Sequence, residues 1–162
     1  MHYKIHVIDV KNALKNYIWL LEHTPTKQVV AIDPTKADLV LDYCQKQQLQ
    51  LEQVWLTHWH HDHTDGVQAL LAQQNILVYG PRDELSKITF ISNPLQHNDH
   101  FYFHNLKIEI IATPGHTLGH IVYFIEEIES LFCGDVLFAM GCGRVFEGTM
   151  EQMYRSLNRL AA

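Results

Sequence analysis

The sequence predicts an α+β fold of two β-sheets with helices on their outer faces. Strand-like and helix-like segments alternate up to about residue 80, and from about residue 99 strand-like segments follow one another until a final helix. A third observation, the stretch THWHHDH at residues 57–63, marks where the chemistry is expected. A plain parallel α/β sheet is the competing reading, because the early alternation also fits it.

Residues 4–10 (KIHVIDV), 17–21 (YIWLL) and 28–33 (QVVAID) are apolar and β-branched or aromatic, and each predicts a strand. Pro34 stops the third, and Thr35 is placed to cap a helix carrying Ala37, Val40, Leu41 and Cys44 at helical spacing. QVWLT (53–57) predicts a short buried strand that delivers the histidine cluster at its end. GVQALLAQQ then predicts a helix, and ILVYG (76–80) a strand closed by Gly80–Pro81. HFYFH and KIEIIA form a hairpin around Asn105, followed by strands at HIVYFI (120–125) and SLFCGDVLF (130–138). TMEQMYRSLNRL closes as a helix, with Thr149 as cap and Met153, Leu157 and Leu160 on one face.

With 162 residues, 47% hydrophobic and 19% charged, the chain is expected to form a single soluble globular domain. Its formal net charge of −6 provides no basic footprint for nucleic acid. Cys44, Cys133 and Cys142 are odd in number and scattered, which fits neither a disulfide framework nor a CxxC metal site. A reduced, cytoplasmic setting is expected, with no signal peptide and no membrane span.

Within the histidine stretch the pattern is His58-x-His60-x-Asp62-His63. Residues two apart on extended backbone point to one side, so His58 and His60 can converge on one ion. Asp62 and His63 come where the chain turns toward the next helix and can face a second point nearby. Imidazole nitrogen and carboxylate oxygen suit zinc, iron or manganese. Strand alternation turns Trp59 into the core and His61 away from the ligands. His2, His6, His23, His97, His100 and His104 lack mutual spacing and read as surface or core-edge residues.

TPGHTLGH (113–120) presents His116 in a turn just after a strand, where the scaffold holds the base of the loop. His120 can hydrogen-bond a ligand from the second shell or simply be a satisfied half-buried histidine. Asp135, in FCGDVLF, is a carboxylate among apolar residues and needs a partner, which a metal would supply; a capped surface turn is the plainer alternative.

The set HxHxDH, a distant histidine in TPGHTLG and an aspartate in GD makes the chain resemble the metallo-β-lactamase superfamily. The resemblance implies a four-layer αββα sandwich over residues 1–162, with metals at the sheet edges. It implies His58, His60 and His116 on a first metal, Asp62 and His63 on a second, and Asp135 bridging both. GDVLFAMGCGRVFEGTMEQMYRSL and GHIVYF resemble the glyoxalase II (hydroxyacylglutathione hydrolase) family in particular. That resemblance implies hydrolysis of S-(2-hydroxyacyl)glutathione, typically S-D-lactoylglutathione, to glutathione and D-lactate by a metal-bound hydroxide, in methylglyoxal detoxification.

Two divalent ions are implied, zinc foremost, with iron or manganese as alternatives. Asp62 would orient the hydroxide, Arg144 would meet the glycyl carboxylate of glutathione, and Phe146 would line the same pocket, where a tyrosine is common. A persulfide dioxygenase with a single iron is the competing enzyme. Lactonase and β-lactamase activities fit GCGRVFEGT less well, and Cys142 lacks an adjacent base to make it a nucleophile. The family also has a seventh ligand, a histidine, and a helical C-terminal domain. No histidine follows His120 here. The second site is therefore expected to be one histidine short and the chain to be truncated, with a metal-poor, self-associating fragment as the non-enzyme alternative.

Overall fold

β-Branched runs form the first sheet of the computed structural model, which describes residues 2–162. Its strands are β1 (Tyr3–Asp9), β2 (Tyr17–His23), β3 (Gln28–Ile32), β4 (Gln50–Trp55), β5 (Leu77–Pro81) and β6 (Asn93–Leu95), ordered β1-β2-β3-β4-β5-β6. β1–β2 and β2–β3 pair antiparallel, whereas β3–β4 and β4–β5 pair parallel. The sheet is thus mixed, and the plain parallel alternative is excluded. In β3, Val29, Val30, Ala31 and Ile32 are all buried, as expected for a central strand covered on both faces. β1, at the edge, alternates instead: His6 and Ile8 are buried, Ile5 and Val7 exposed.

Helix α1 (Ala37–Gln47) joins β3 to β4 and buries Val40 and Cys44, two of the four positions its apolar spacing named, with Ala37 and Leu41 half-buried. Its N-cap is Lys36, with no side-chain cap, not Thr35. Asp33 has φ +49° and turns the chain abruptly at the end of β3, which moves the helix start past Thr35. Burial pushes the Cys44 thiol up to about 11, so this cysteine is a packing residue. After β4 comes a short helix not expected from the sequence, α2 (His61–Thr64), and then α3 (Val67–Leu71), which lies within the helix expected over 66–74 but is shorter. The first unit of the fold takes the chain up to Leu56, then His60–Tyr79 and Phe90–Asn93.

The second unit comprises Thr57–Trp59, Gly80–Thr89 and Pro94–Ala162. Its sheet contains β7 (His100–Phe103), β8 (Leu106–Ala112), β9 (Ile121–Ile125) and β10 (Ser130–Phe132), all antiparallel, in the order β10-β9-β8-β7. The β7–β8 hairpin turns at His104 and Asn105, with His104 at φ +55°. Ile108 and Ile110 on β8 and Val122 and Tyr123 on β9 are fully or almost fully buried. The predicted strand over 130–138 is broken after Phe132, so Asp135 lies in a loop, followed by a small hairpin of β11 (Leu137–Phe138) and β12 (Gly141–Cys142). The Cys133–Gly134–Asp135 turn interrupts the apolar run, with Gly134 at φ +49°.

Helix α4 (Met150–Ala161) has a full capping box: Thr149 Oγ1 accepts from the Gln152 amide, and the Gln152 side chain accepts from the Thr149 amide. Such a cap contributes about 1 kcal/mol. Met153 is buried and Leu157 and Leu160 half-buried, and Ser156 donates to the Pro114 carbonyl at 2.8 Å. Among the described residues no helix is long and apolar enough to cross a membrane.

Candidate metal centre

Beyond β4 the chain leaves the sheet, and the residues of THWHHDH separate by role. His58 is fully buried, its Nδ1 3.0 Å from Thr57 Oγ1. The His116 ring stands edge-on to it at 4.9 Å, and the His120 ring stacks on it at 4.9 Å. His116 Nδ1 donates to the Arg144 carbonyl at 2.6 Å, and its Nε2 lies 3.2 Å from Asp135 Oδ2. A histidine whose Nδ1–H is taken by a carbonyl presents an unprotonated Nε2, the form that binds metal.

His120 is different. The Asp135 amide donates to its Nε2 at 3.2 Å, leaving Nδ1–H for Thr113 Oγ1 at 2.9 Å. Both ring nitrogens are occupied by protein, so His120 supports Asp135 and stacks on His58 without offering a nitrogen to an ion.

α2 turns Asp62 and His63 out of the extended segment, with His60 as its N-cap residue. His63 is buried, its Nδ1 2.9 Å from Asp33 Oδ2 and its Nε2 3.5 Å from Asp62 Oδ2. Asp62 Oδ2 also accepts from Asn16 Nδ2 at 2.9 Å. Asn16 is itself locked by Asn12, which accepts from the Asn16 amide and donates to its side-chain oxygen. Asp33 and Asn16 were not foreseen, since nothing in their own spacing points to the cluster. The only sequence hint is that both close or open a strand of the first sheet.

Among the described residues, two groups offer three donor atoms within 4.8 Å of one another: His58, His60 and His116, and Asp33, His58 and His63. Asp62 and Asp135 stand outside both groups. The first group brings together the three histidines expected on one ion; the second contains Asp33, whose Oδ2 is bonded to His63 Nδ1, and not Asp62. Nitrogen donors with a carboxylate, the imidazoles of His58, His63 and His116 each held at Nδ1, fit zinc, iron or manganese.

His61 points outward and pairs with Asp65, at 3.0 Å. Trp59 is half-buried rather than core: its Nε1 donates to Glu147 Oε1 at 2.9 Å, and Lys87 Nζ sits 4.5 Å from its ring centroid. The indole nitrogen needs an acceptor, and Trp59 lies outside any strand, so sheet alternation does not decide its burial. His6 is buried rather than at the surface, bonded to Glu22 Oε2 at 2.7 Å and Tyr43 at 2.9 Å.

Arg144 is exposed, with its guanidinium carbon 5.2 Å from the Phe146 ring, and that ring is edge-on to His116 at 5.3 Å. The glycine before Arg144 is required by close approach: a Cβ on Gly143 would lie 1.7 Å from the Asp135 carbonyl oxygen. GCGR is thereby packed against the loop that carries Asp135.

Two carboxylates beside the centre behave oppositely. Burial pushes Glu84 up to about 7, despite the bond from Thr117, and the nearby Glu147 adds to the rise. Glu147 also loses solvent, but bonds from Lys87, the Leu118 amide and Trp59 outweigh this and hold it below the usual carboxylate range.

The sequence model described as the metallo-beta-lactamase superfamily matches residues 31–162. The chain belongs to this superfamily. It is 43% identical over 157 residues to a hydroxyacylglutathione hydrolase of Chromohalobacter salexigens, covering 96% of this chain and 61% of that protein. It is 46% identical over 161 residues to a hydroxyacylglutathione hydrolase of Shewanella baltica, covering 96% and 60%. The chain therefore spans about three fifths of the length of these curated relatives.

Among solved structures, BLEG-1 B3 metallo-beta-lactamase superposes with a TM-score of 0.85 at 23% identity, covering 96% of this chain and 84% of that one. ETHE1 from Myxococcus xanthus superposes with a TM-score of 0.79 at 28% identity, covering 99% and 69%. The fold is the metallo-β-lactamase fold, the αββα class implied by the sequence motifs.

Proposed function

We propose that this chain is the metal-binding catalytic domain of a hydroxyacylglutathione hydrolase, cleaving the thioester of S-(2-hydroxyacyl)glutathione, typically S-D-lactoylglutathione, to glutathione and D-lactate. The observation that carries this reading is the convergence of His58, His60 and His116 beside the GCGRVFEGT loop, in a chain whose relatives are named for that activity. Their names do not favour the persulfide dioxygenase alternative.

His58, His60 and His116 would hold one divalent ion, zinc foremost, and Asp62 and His63 a second, with Asp135 between them. Such ions lower the pKa of water toward neutrality and stabilise a developing oxyanion. The protein's own part is positional. Asn16 fixes the Asp62 carboxylate so that it can accept a proton from the attacking water. Asp33 and the Arg144 carbonyl fix the tautomers of His63 and His116. The Arg144 guanidinium anchors the glycyl carboxylate of the substrate, and the exposed Phe146 face packs against its peptide.

This role suits detoxification of methylglyoxal adducts in the cytoplasm. Release of free thiol from S-D-lactoylglutathione, followed with and without chelator, tests the reading. Chelator-sensitive turnover is expected; no turnover by metal-loaded protein overturns it.

A further inference from the structure

We propose that Glu84 and Glu147 are positioning residues that clasp the His116 loop from two sides and so hold His116 in its ligating orientation. The proposal rests on the metal-centre reading above.

Three consecutive residues after His116 meet these carboxylates. Thr117 Oγ1 donates to Glu84 Oε1 at 2.5 Å, and the Leu118 amide donates to Glu147 Oε2 at 2.9 Å. Gly119 admits Glu84 by having no side chain: a Cβ there would lie 2.4 Å from Glu84 Cγ. Glu84 is 1% exposed, and its second oxygen, Oε2, has no hydrogen-bond partner. A buried carboxylate with one oxygen unmatched is costly, and an apolar side chain would fill the space more cheaply. Packing alone therefore does not account for it, whereas its grip on Thr117 does.

Glu147 extends the clasp to the other ligand segment. Its Oε1 accepts from Trp59 Nε1 at 2.9 Å, and Trp59 is the residue between His58 and His60. The same oxygen accepts from Lys87 Nζ, which lies over the Trp59 ring. The Lys87 amide in turn donates to the Glu84 carbonyl at 2.9 Å, so residues 84 to 87 brace both carboxylates from one turn of chain. The Glu147 amide also donates to the His116 carbonyl at 3.3 Å. A ligand on a loop keeps its geometry only if the loop is held, and support of this kind typically changes metal affinity when removed.

The test compares the parent chain with Glu84→Gln, Thr117→Val and Glu147→Gln. Zinc affinity is measured by competition with a chromophoric chelator, the ligand field by the visible spectrum of the cobalt-loaded protein, and folding by circular dichroism of the metal-free protein. Each variant is expected to bind zinc about 10- to 100-fold more weakly, with an altered cobalt band. Folded variants with zinc affinity within about twofold of the parent and an unchanged cobalt band overturn the clasp. If Glu84→Gln does not fold, Thr117→Val breaks the same contact from the loop side and decides the matter alone. A folded parent that binds no zinc instead overturns the metal-centre reading, and the clasp with it.

Discussion

Asp33 and His63, thirty residues apart, meet with Asp33 Oδ2 2.9 Å from His63 Nδ1, both side chains buried. The pair joins the end of β3 to the short helix α2 and leaves His63 Nε2 as the nitrogen facing Asp62. Asp33→Ala is expected to weaken the ion held by His63 about 10- to 100-fold. Zinc titration against a chelator, resolved into two binding steps, checks this; loss confined to the other step would count against the assignment.

Asn16 does for Asp62 what Asp33 does for His63. Hydrogen bonds to charged groups contribute about 1.5–3 kcal/mol, so Asn16→Ala is expected to lower turnover by about ten- to a hundredfold. The melting temperature of the metal-free variant, measured beside the rate, separates a loss of turnover from a loss of fold, since Asn16 is also bonded to Asn12. Thiol-release rates and a thermal melt measure the two quantities.

Gly143→Ala and Gly141→Ala form a matched pair. A Cβ at 143 would collide with the Asp135 carbonyl, whereas a Cβ at 141 meets nothing within 4 Å. Gly143→Ala should displace the Asp135 loop and abolish chelator-sensitive turnover; Gly141→Ala should leave it unchanged. Equal effects in the two variants would show that the close approach at 143 has no functional weight.

Glu22 predicts an acid limit to stability. It is buried, and although loss of solvent opposes its charge, bonds from Lys27 and His6 win and hold it below the usual carboxylate range in the folded protein. A carboxylate depressed on folding stabilises the protein above its unfolded pKa, and that contribution is lost as pH falls through the folded value. Thermal melts from pH 7 to pH 3 should therefore fall more steeply for the parent than for Glu22→Gln. At pH 7 the variant should be less stable by about 1–3 kcal/mol, because His6 and Lys27 lose their charged partner.

Strands and helices were largely legible because apolar period and turn residues are local signals. β3, α1, the β7–β8 hairpin and the Thr149-capped α4 all appear where alternation and helical spacing put them. Two of the misses share one cause. The strand predicted over 130–138 is broken at Cys133–Gly134–Asp135, and Trp59 leaves the core, because these residues answer to side chains far along the chain.

His58, His60, Asp62 and His63 stood out as ligand candidates by their spacing in HxHxDH, His116 by its turn at a strand end, and Asp135 as a carboxylate among apolar residues. What holds those nitrogens was not readable from spacing. Asp33 lies 30 residues from His63, the Arg144 carbonyl 28 from His116, and Asn16 46 from Asp62. Local pattern records what covalent geometry brings together, so it pointed to the histidine donors and not to Asp33, which the fold brings into the second group. The partners that orient the donors depend on where strand ends and loops are packed, and only the folded chain decided them.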